Sequence, residues 1–353
     1  MLVRVSVASD SLSADNLPLP VANSLHRALL DDLHTHGRLV FAEDAEVMAL
    51  IKAIRSGPGL PPDVRKGWED ILVHLKQTNR LLVLSRPETA PLASIRTIDD
   101  MHEQWGACTD LAIVSARACG PLGVPEDSGL LADPVERPDI ATTGTAPYSP
   151  ALARAKDLRS RGVAPHGSSR EEFWAQVLQP LASEARTATV LDRYLPQACW
   201  DIQTRQRWAR AWRNEHITWL LEHLDVAMAP NAEVRLIASR LDREPMVRAD
   251  EVAAAIRNQW EPAATGRIER VTLTLATPPR PSAFPHDRHI RFSTAGAIEI
   301  PAGFDRLREP TIWDADGMKW NYRCHPQPLR DLQAVEVRAS SYAHDATASV
   351  LER

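Results

Sequence analysis

The stretch RIERVTLTLATPPRPSAFPHDRHIRFSTAGAIEIPAGF, residues 267–304, decides the fold. RIERVTLTLAT (267–277) is rich in β-branched residues and reads as a strand. A proline-rich turn follows, because three prolines between Thr277 and Ala283 cannot lie inside a regular element. HDRHIRF (286–292) then reads as a second strand, and AGAIEIPAGF (295–304) folds back on it as a hairpin.

Upstream, strands and helices alternate. REEFWAQVLQPLASEA (170–185) reads as a helix, ATVLDRYL (188–195) as a strand and TRQRWARAWRNEHITWLLEHLDVAM (204–228) as a long helix. AEVRLIAS (232–239) reads as a strand and ADEVAAAIRNQW (249–260) as a helix. This alternation predicts βαβ crossovers and a mixed, mostly parallel sheet with flanking helices. LQAVEVRAS (332–340) alternates apolar and polar residues and is expected to close the sheet as a final strand.

The first half reads as a smaller α/β domain, residues 1–118. Its expected strands are LVRVSVAS (2–9), RLVFA (38–42), RLLVLS (80–85) and TDLAIVSARA (109–118). Its expected helices are SLHRALLDDLHTHG (24–37), AEVMALIKAIRS (45–56) and VRKGWEDILVHLKQT (64–78). Residues 119–170, with GPLGVPEDSG and ATTGTAPYSP, are expected to connect the two halves and to hold one short helix at ALARAKDLRSR (151–161). The second domain is expected to run over 171–353. The fold class is therefore α/β.

On a strand, residues two apart share a face. His286 and Arg288 thus project together, while Asp287, His289 and Arg291 point the other way. An imidazole beside a guanidinium suits a phosphodiester, one group attacking phosphorus or moving a proton and the other neutralising phosphate charge. Asp192 and Arg193 end the first strand of the parallel region, and open α/β sheets bind ligands beyond the carboxyl ends of their strands. Asp192 there is placed to orient His286, as a carboxylate orients an imidazole; a helix cap or a structural ion pair is the competing role.

The element order, with Leu191-Asp192-Arg193-Tyr194-Leu195 and His286-Asp287-Arg288-His289-Ile290-Arg291-Phe292 followed by Ile298-Glu299-Ile300 and Gly303-Phe304-Asp305, resembles one half of the phospholipase-D-type fold. The resemblance covers the last half of the chain. It is closest to the PLD-like domain at the C-terminus of MIT-domain proteins and to PLD-like domains of bacterial defence-type proteins. It implies His286, Arg288 and Asp192 as the catalytic set, and Arg193, His289, Arg291, Glu299 and Asp305 around the ligand. No metal and no cofactor is implied. Catalytic members carry His-x-Lys and an Asp seven residues after the His; here Arg288 stands for the lysine and Ser293 for the Asp. Such enzymes use two motifs per site, so a chain with one would work as a homodimer. Relatives with His-Asp-Arg are understood as binding modules.

Three functions follow as expectations. The first is a bacterial accessory or effector protein, of a defence system, whose PLD-like domain binds a phosphodiester such as nucleic acid or a partner protein of the same operon. The second is a dimeric, metal-independent phosphodiesterase or nuclease. The third is a purely structural subunit.

Charge narrows these. The chain of 353 residues carries a formal net charge of −5, which argues against nonspecific coating of nucleic acid, since that needs a surplus of cations. Arginine far outnumbers lysine, which occurs only at Lys52, Lys66, Lys76, Lys156 and Lys319, but it is spread along the chain rather than clustered. The four cysteines, Cys108, Cys119, Cys199 and Cys324, form no CxxC pair, and Cys324-His325 is not spaced for chelation. No apolar run reaches membrane-spanning length and the start lacks a signal-peptide pattern, so a cytoplasmic location is expected.

Two further groups stand out. Trp208, Trp212 and Trp219 on the long helix, interleaved with Arg205, Arg207, Arg210 and Arg213, form either a core stripe or a base-stacking platform. In the first half, Asp10, Glu43, Asp44 and Asp110 lie near strand ends, as the carboxylates of a PIN-like nuclease do; helix N-termini attract such residues without any catalytic role. His34 and His36, two apart on one helix, face different directions and make a poor chelate.

Overall fold

The protein is described by a computed structural model covering residues 2–12, 19–56, 60–84, 89–132, 138–194, 216–239, 248–260, 265–279, 284–285, 288–343 and 347–353. It is α/β, with two compact units, Met1–Ser160 and Arg161–Arg353.

In the first unit, β1 (Val3–Val7), β2 (Gly37–Phe41), β3 (Leu81–Val83), β4 (Leu111–Ile113), β5 (Leu130–Leu131) and β6 (Asp139–Ala141) form one sheet in the order β3-β2-β1-β4-β6-β5. All neighbours pair in parallel except the edge strand β5. The helices α1 (Leu19–His36), α2 (Asp44–Ser56), α3 (Pro62–Gln77), α4 (Ile98–Trp105), α5 (Ala116–Cys119) and α6 (Pro150–Arg161) accompany it. Alternate strand residues feed two cores: Val5, Leu39, Phe41 and Leu111 pack with Trp68 and Leu75 of α3, and Val40, Ala112 and Ile140 pack with Met101 and Trp105 of α4. Both faces of a parallel sheet are thereby covered, as such sheets require.

Two expectations are corrected here. Residues 119–170 are not a connector: β5, β6 and α6 belong to them, and the division of the chain falls after Ser160. The stretch TDLAIVSARA is a strand only over Leu111–Ile113; after Val114 the chain turns, and α5 begins at Ala116 behind Ser115.

The second unit holds a small ladder of β7 (Val163–Ala164) with β13 (Met318–Lys319), and a large mixed sheet. The sheet contains β8 (Thr187–Leu191), β9 (Ala232–Ser239), β10 (Ile268–Ala276), β11 (His289–Phe292), β12 (Gly296–Glu299), β14 (Asn321–Arg323) and β15 (Thr347–Glu352), in the order β14-β12-β11-β8-β9-β10-β15. Its centre, β8-β9-β10, is parallel. The hairpin β11-β12 adds to β8 antiparallel, and β14 and β15 close the two edges antiparallel.

Among the described residues the helices of this unit are α7 (Arg170–Phe173), which runs through a π-turn Trp174–Leu178 into α8 (Gln179–Ala182), then α9 (His216–Ala227), α10 (Ala249–Gln259) and α11 (Pro326–Ser341). α9 and α10 supply the crossovers that parallel strands need. Val190, Leu236 and Leu273, at the middle of the three parallel strands, are fully buried, and each such side chain contributes about 2 kcal/mol.

The expected closing strand LQAVEVRAS is instead part of α11. Its alternation of Val335 and Val337 suggests a strand, but Leu332, Glu336 and Ala339 recur at helical spacing and are the buried positions, whereas Val337 is exposed. Prolines at the start of the segment fit a helix N-terminus. The true edge strand is β15, beyond that helix.

Candidate functional site

The candidate site forms where β8 ends. Leu191 is the last residue of β8 to pair with both β9 and β11, opposite Ile237 and His289. One step on, Asp192 donates its N–H to Ile237 O at 3.0 Å and turns its carboxylate inward, where it is 2% exposed. Asp192 Oδ1 accepts from Tyr194 N–H at 2.9 Å and Oδ2 from Phe304 N–H at 3.1 Å. Arg288, directly before β11, brings its Nε to 3.5 Å from Asp192 Oδ1 and donates from Nη1 to Pro301 O at 2.9 Å. Burial pushes the Asp192 carboxyl up, while the two N–H groups and Arg288 pull it down; the net direction is upward.

Around this pair sit a ring and a second cation. Arg193 and Arg288 place their guanidinium carbons 5.4 and 5.3 Å from the centroid of Tyr194, within the range for cation–π attraction. Tyr194 is 46% exposed, so the cluster reaches solvent. The Arg288 Nε is buried and makes no hydrogen bond among the described residues. Gly303 closes the other side with φ +105°, and a Cβ there would lie 3.1 Å from Arg288 Cδ. Only glycine lets the backbone pass this close at that φ.

Each expected site residue has a definite place, except one. His286, with Asp287, lies outside the described residues. Asp192, Arg193 and Arg288 lie together beyond the end of β8, around the Tyr194 ring. Asp305 is exposed on the 3-10 turn Phe304–Leu307, next to Gly303.

His289 and Arg291 leave the site. They lie on the opposite face of β11, as the strand alternation predicts, and both meet Glu336 of α11: His289 Nε2 lies 3.0 Å from Oε1, and Arg291 donates to Oε1 at 2.8 Å and Oε2 at 2.5 Å. His289 is fully buried and Glu336 nearly so, so this is an internal lock between β11 and α11, not a ligand surface. Glu299 is likewise engaged, accepting from Arg323 Nε of β14 at 2.7 Å. Ser293, at the position of the catalytic family's Asp, accepts the N–H groups of Arg186 and Thr187 at 2.9 and 3.2 Å. It caps the start of β8, at the far end of that strand from Asp192.

The other candidate groups separate in the same way. Trp208 and Trp212 lie outside the described residues. Trp219 is 3% exposed and donates its indole N–H to Glu171 Oε1 at 2.6 Å, so it is a packed residue and no stacking platform. In the first unit Asp10 follows β1 and accepts from Ser115 Oγ at 2.8 Å. Asp110 precedes β4, at the opposite end of the sheet, where Arg4 Nη2 donates to it at 2.8 Å. The carboxylates of a PIN-like site are therefore not gathered, and among the described residues no three His, Cys, Asp or Glu side chains are grouped to hold a metal ion.

One feature near the site carried no signal in the sequence. Trp313 is 49% exposed, and Arg306 of the Phe304–Leu307 turn lies over its ring at 4.7 Å. The two residues are seven apart in irregular chain, so neither strand nor helix periodicity points to the pair. No helix among the described residues is long and apolar enough to cross a membrane. No protein-family model matches the chain, and no curated protein matches it in sequence.

Proposed function

We propose that the second unit is a PLD-like binding module that captures a phosphodiester at the carboxyl end of its parallel strands, with Arg288 as the anchor, and that it does so without hydrolysing it. The observation that carries this is the state of Arg288. Its side chain is fixed at the end of the parallel strands by Pro301 O, by Asp192, whose Oδ1 lies 3.5 Å from Nε, and by the Tyr194 ring. A guanidinium fixed at the carboxyl end of the strands can offer its remaining N–H groups to a phosphate oxygen as charge-assisted donors. The element order and the parallel centre of the sheet support the PLD resemblance. The binding role, in preference to hydrolysis, is supported by Ser293, which serves the backbone of β8 rather than a reacting group.

Full-length protein titrated with a labelled single-stranded oligonucleotide tests the proposal. Wild type is expected to bind at low salt, and Arg288→Ala to weaken binding at least tenfold with the melting temperature kept within a few degrees. Cleavage of the oligonucleotide by wild type would move the site to the phosphodiesterase class. Equal binding by wild type and Arg288→Ala would remove Arg288 as the anchor.

A further inference from the structure

Two exposed aromatic rings with arginines over them are connected through the Asp192 carboxylate and the turn that follows Gly303. Asp192 Oδ2 holds the N–H of Phe304, the first residue of the turn Phe304–Leu307. Two residues later Arg306 leaves that turn, donates from Nη1 to Asp314 Oδ1 at 2.9 Å and lies over the half-exposed ring of Trp313. Its buried Nε, like that of Arg288, makes no hydrogen bond among the described residues. The two oxygens of Asp192 thus hold Tyr194 N–H and Phe304 N–H, and Arg306, two residues after Phe304, reaches Trp313.

We propose that Trp313 and Arg306 form a second subsite, at which an unpaired base stacks on the Trp313 ring, and that the ligand of the neighbouring Arg288 anchor is therefore single-stranded nucleic acid. This rests on the phosphodiester-binding function proposed above and names its ligand class.

The chemistry separates the candidates. A free phosphate offers an anion and no planar face, and a lipid surface would take the indole by insertion rather than by stacking, which binding to anionic vesicles separates. A duplex hides its base faces by stacking them on one another, and its recognition relies on groove edges and backbone. A single strand presents both an anionic backbone and free π-faces, and proteins hold it with cations that track the backbone and with aromatic rings on which bases stack. The surface here has both kinds of group in alternation: Arg288 with Tyr194, then Arg306 with Trp313. The ion pair with Asp314 fixes the Arg306 guanidinium, so the indole is presented in a set orientation.

The test compares two labelled oligonucleotides of equal length, one ordinary and one abasic over its central residues, on full-length wild type, Trp313→Ala, Trp313→Phe and Arg288→Ala. Stacking contributes about 1–3 kcal/mol per base, so Trp313→Ala is expected to bind the ordinary strand about tenfold more weakly than wild type does. It is expected to bind the abasic strand as wild type does. Trp313→Phe keeps a ring and is expected to retain most of the affinity; it also guards against a folding defect, as does the half-exposed position of Trp313. Arg288→Ala is expected to weaken both strands alike. If Trp313→Ala binds both strands exactly as wild type does, the stacking subsite is overturned while the Arg288 anchor stands. If wild type prefers duplex, or binds anionic vesicles and neither strand, the ligand class proposed here is overturned. If wild type binds none of these probes, the phosphodiester-binding function itself fails.

Discussion

Glu336 shows how much one buried residue decides. Burial alone would raise its carboxyl, but hydrogen bonds from Arg291 and His289 outweigh that and hold it below its ordinary value of 4.5. A carboxylate whose pKa is depressed in the folded state adds stability above its unfolded value and loses it as pH falls through the folded value. The second unit should therefore weaken on acidification below about pH 4.5. Glu336→Gln should cost about 3–5 kcal/mol at neutral pH, because it leaves Arg291 facing a neutral amide inside the protein. It should also flatten the acid limb of a melting-temperature profile. A variant as stable as wild type at pH 7 would mean that the lock between β11 and α11 carries no net energy. The residues of the site itself were legible to different degrees. Asp192, Arg193 and Arg288 were legible as residues flanking strand ends, while the expected pairing of Arg288 with His286 on one face falls outside the described residues. His289 and Arg291 were rightly placed on the opposite face, yet the acceptor waiting there was hidden, since Glu336 lay in a segment that alternates like a strand. Trp313 and Arg306 were not readable at all, because a loop imposes no period.

At the scale of elements, the parallel centre of the second sheet and its hairpin could be read from the sequence. Their strands are short runs rich in Val, Ile, Leu and Thr set between helical stretches, and Gly266, Pro278, Pro285 and Pro301 mark the limits of β10 and the hairpin. What could not be read were short or misleading pieces. Asp139–Ala141 gives β6 only three residues within a stretch rich in threonine, glycine and proline, and its strand character comes from pairing with β4 and β5. The segment of α11 offered both periods at once, and the packing of Leu332, Glu336 and Ala339 chose the helical one. Ala334 lies in the middle of that helix with its side chain exposed, so Ala334→Gly should lower stability by about 1 kcal/mol through helix propensity alone. Hydrogen exchange at Ala334 and its neighbours should accelerate with it. An unchanged melting temperature and unchanged protection would argue that the segment is not helical in solution.

For the whole molecule, charge sets what kind of ligand can be held. A chain with net charge −5 cannot attract polyanions from a distance, so binding must come from a few arginines held in place rather than from a basic surface. Each phosphate neutralised on a single strand contributes about 0.7 to the slope of log affinity against log salt. Wild type should therefore show a shallow slope of about 1–2, and Arg288→Ala a slope smaller by about 0.7, since one contact is lost. The most direct measurement is this pair of salt titrations on the full-length protein with one single-stranded oligonucleotide. A shallow wild-type slope that drops by about one phosphate in Arg288→Ala is the predicted result. Identical slopes and affinities for the two proteins would contradict the claim that Arg288 holds a phosphate.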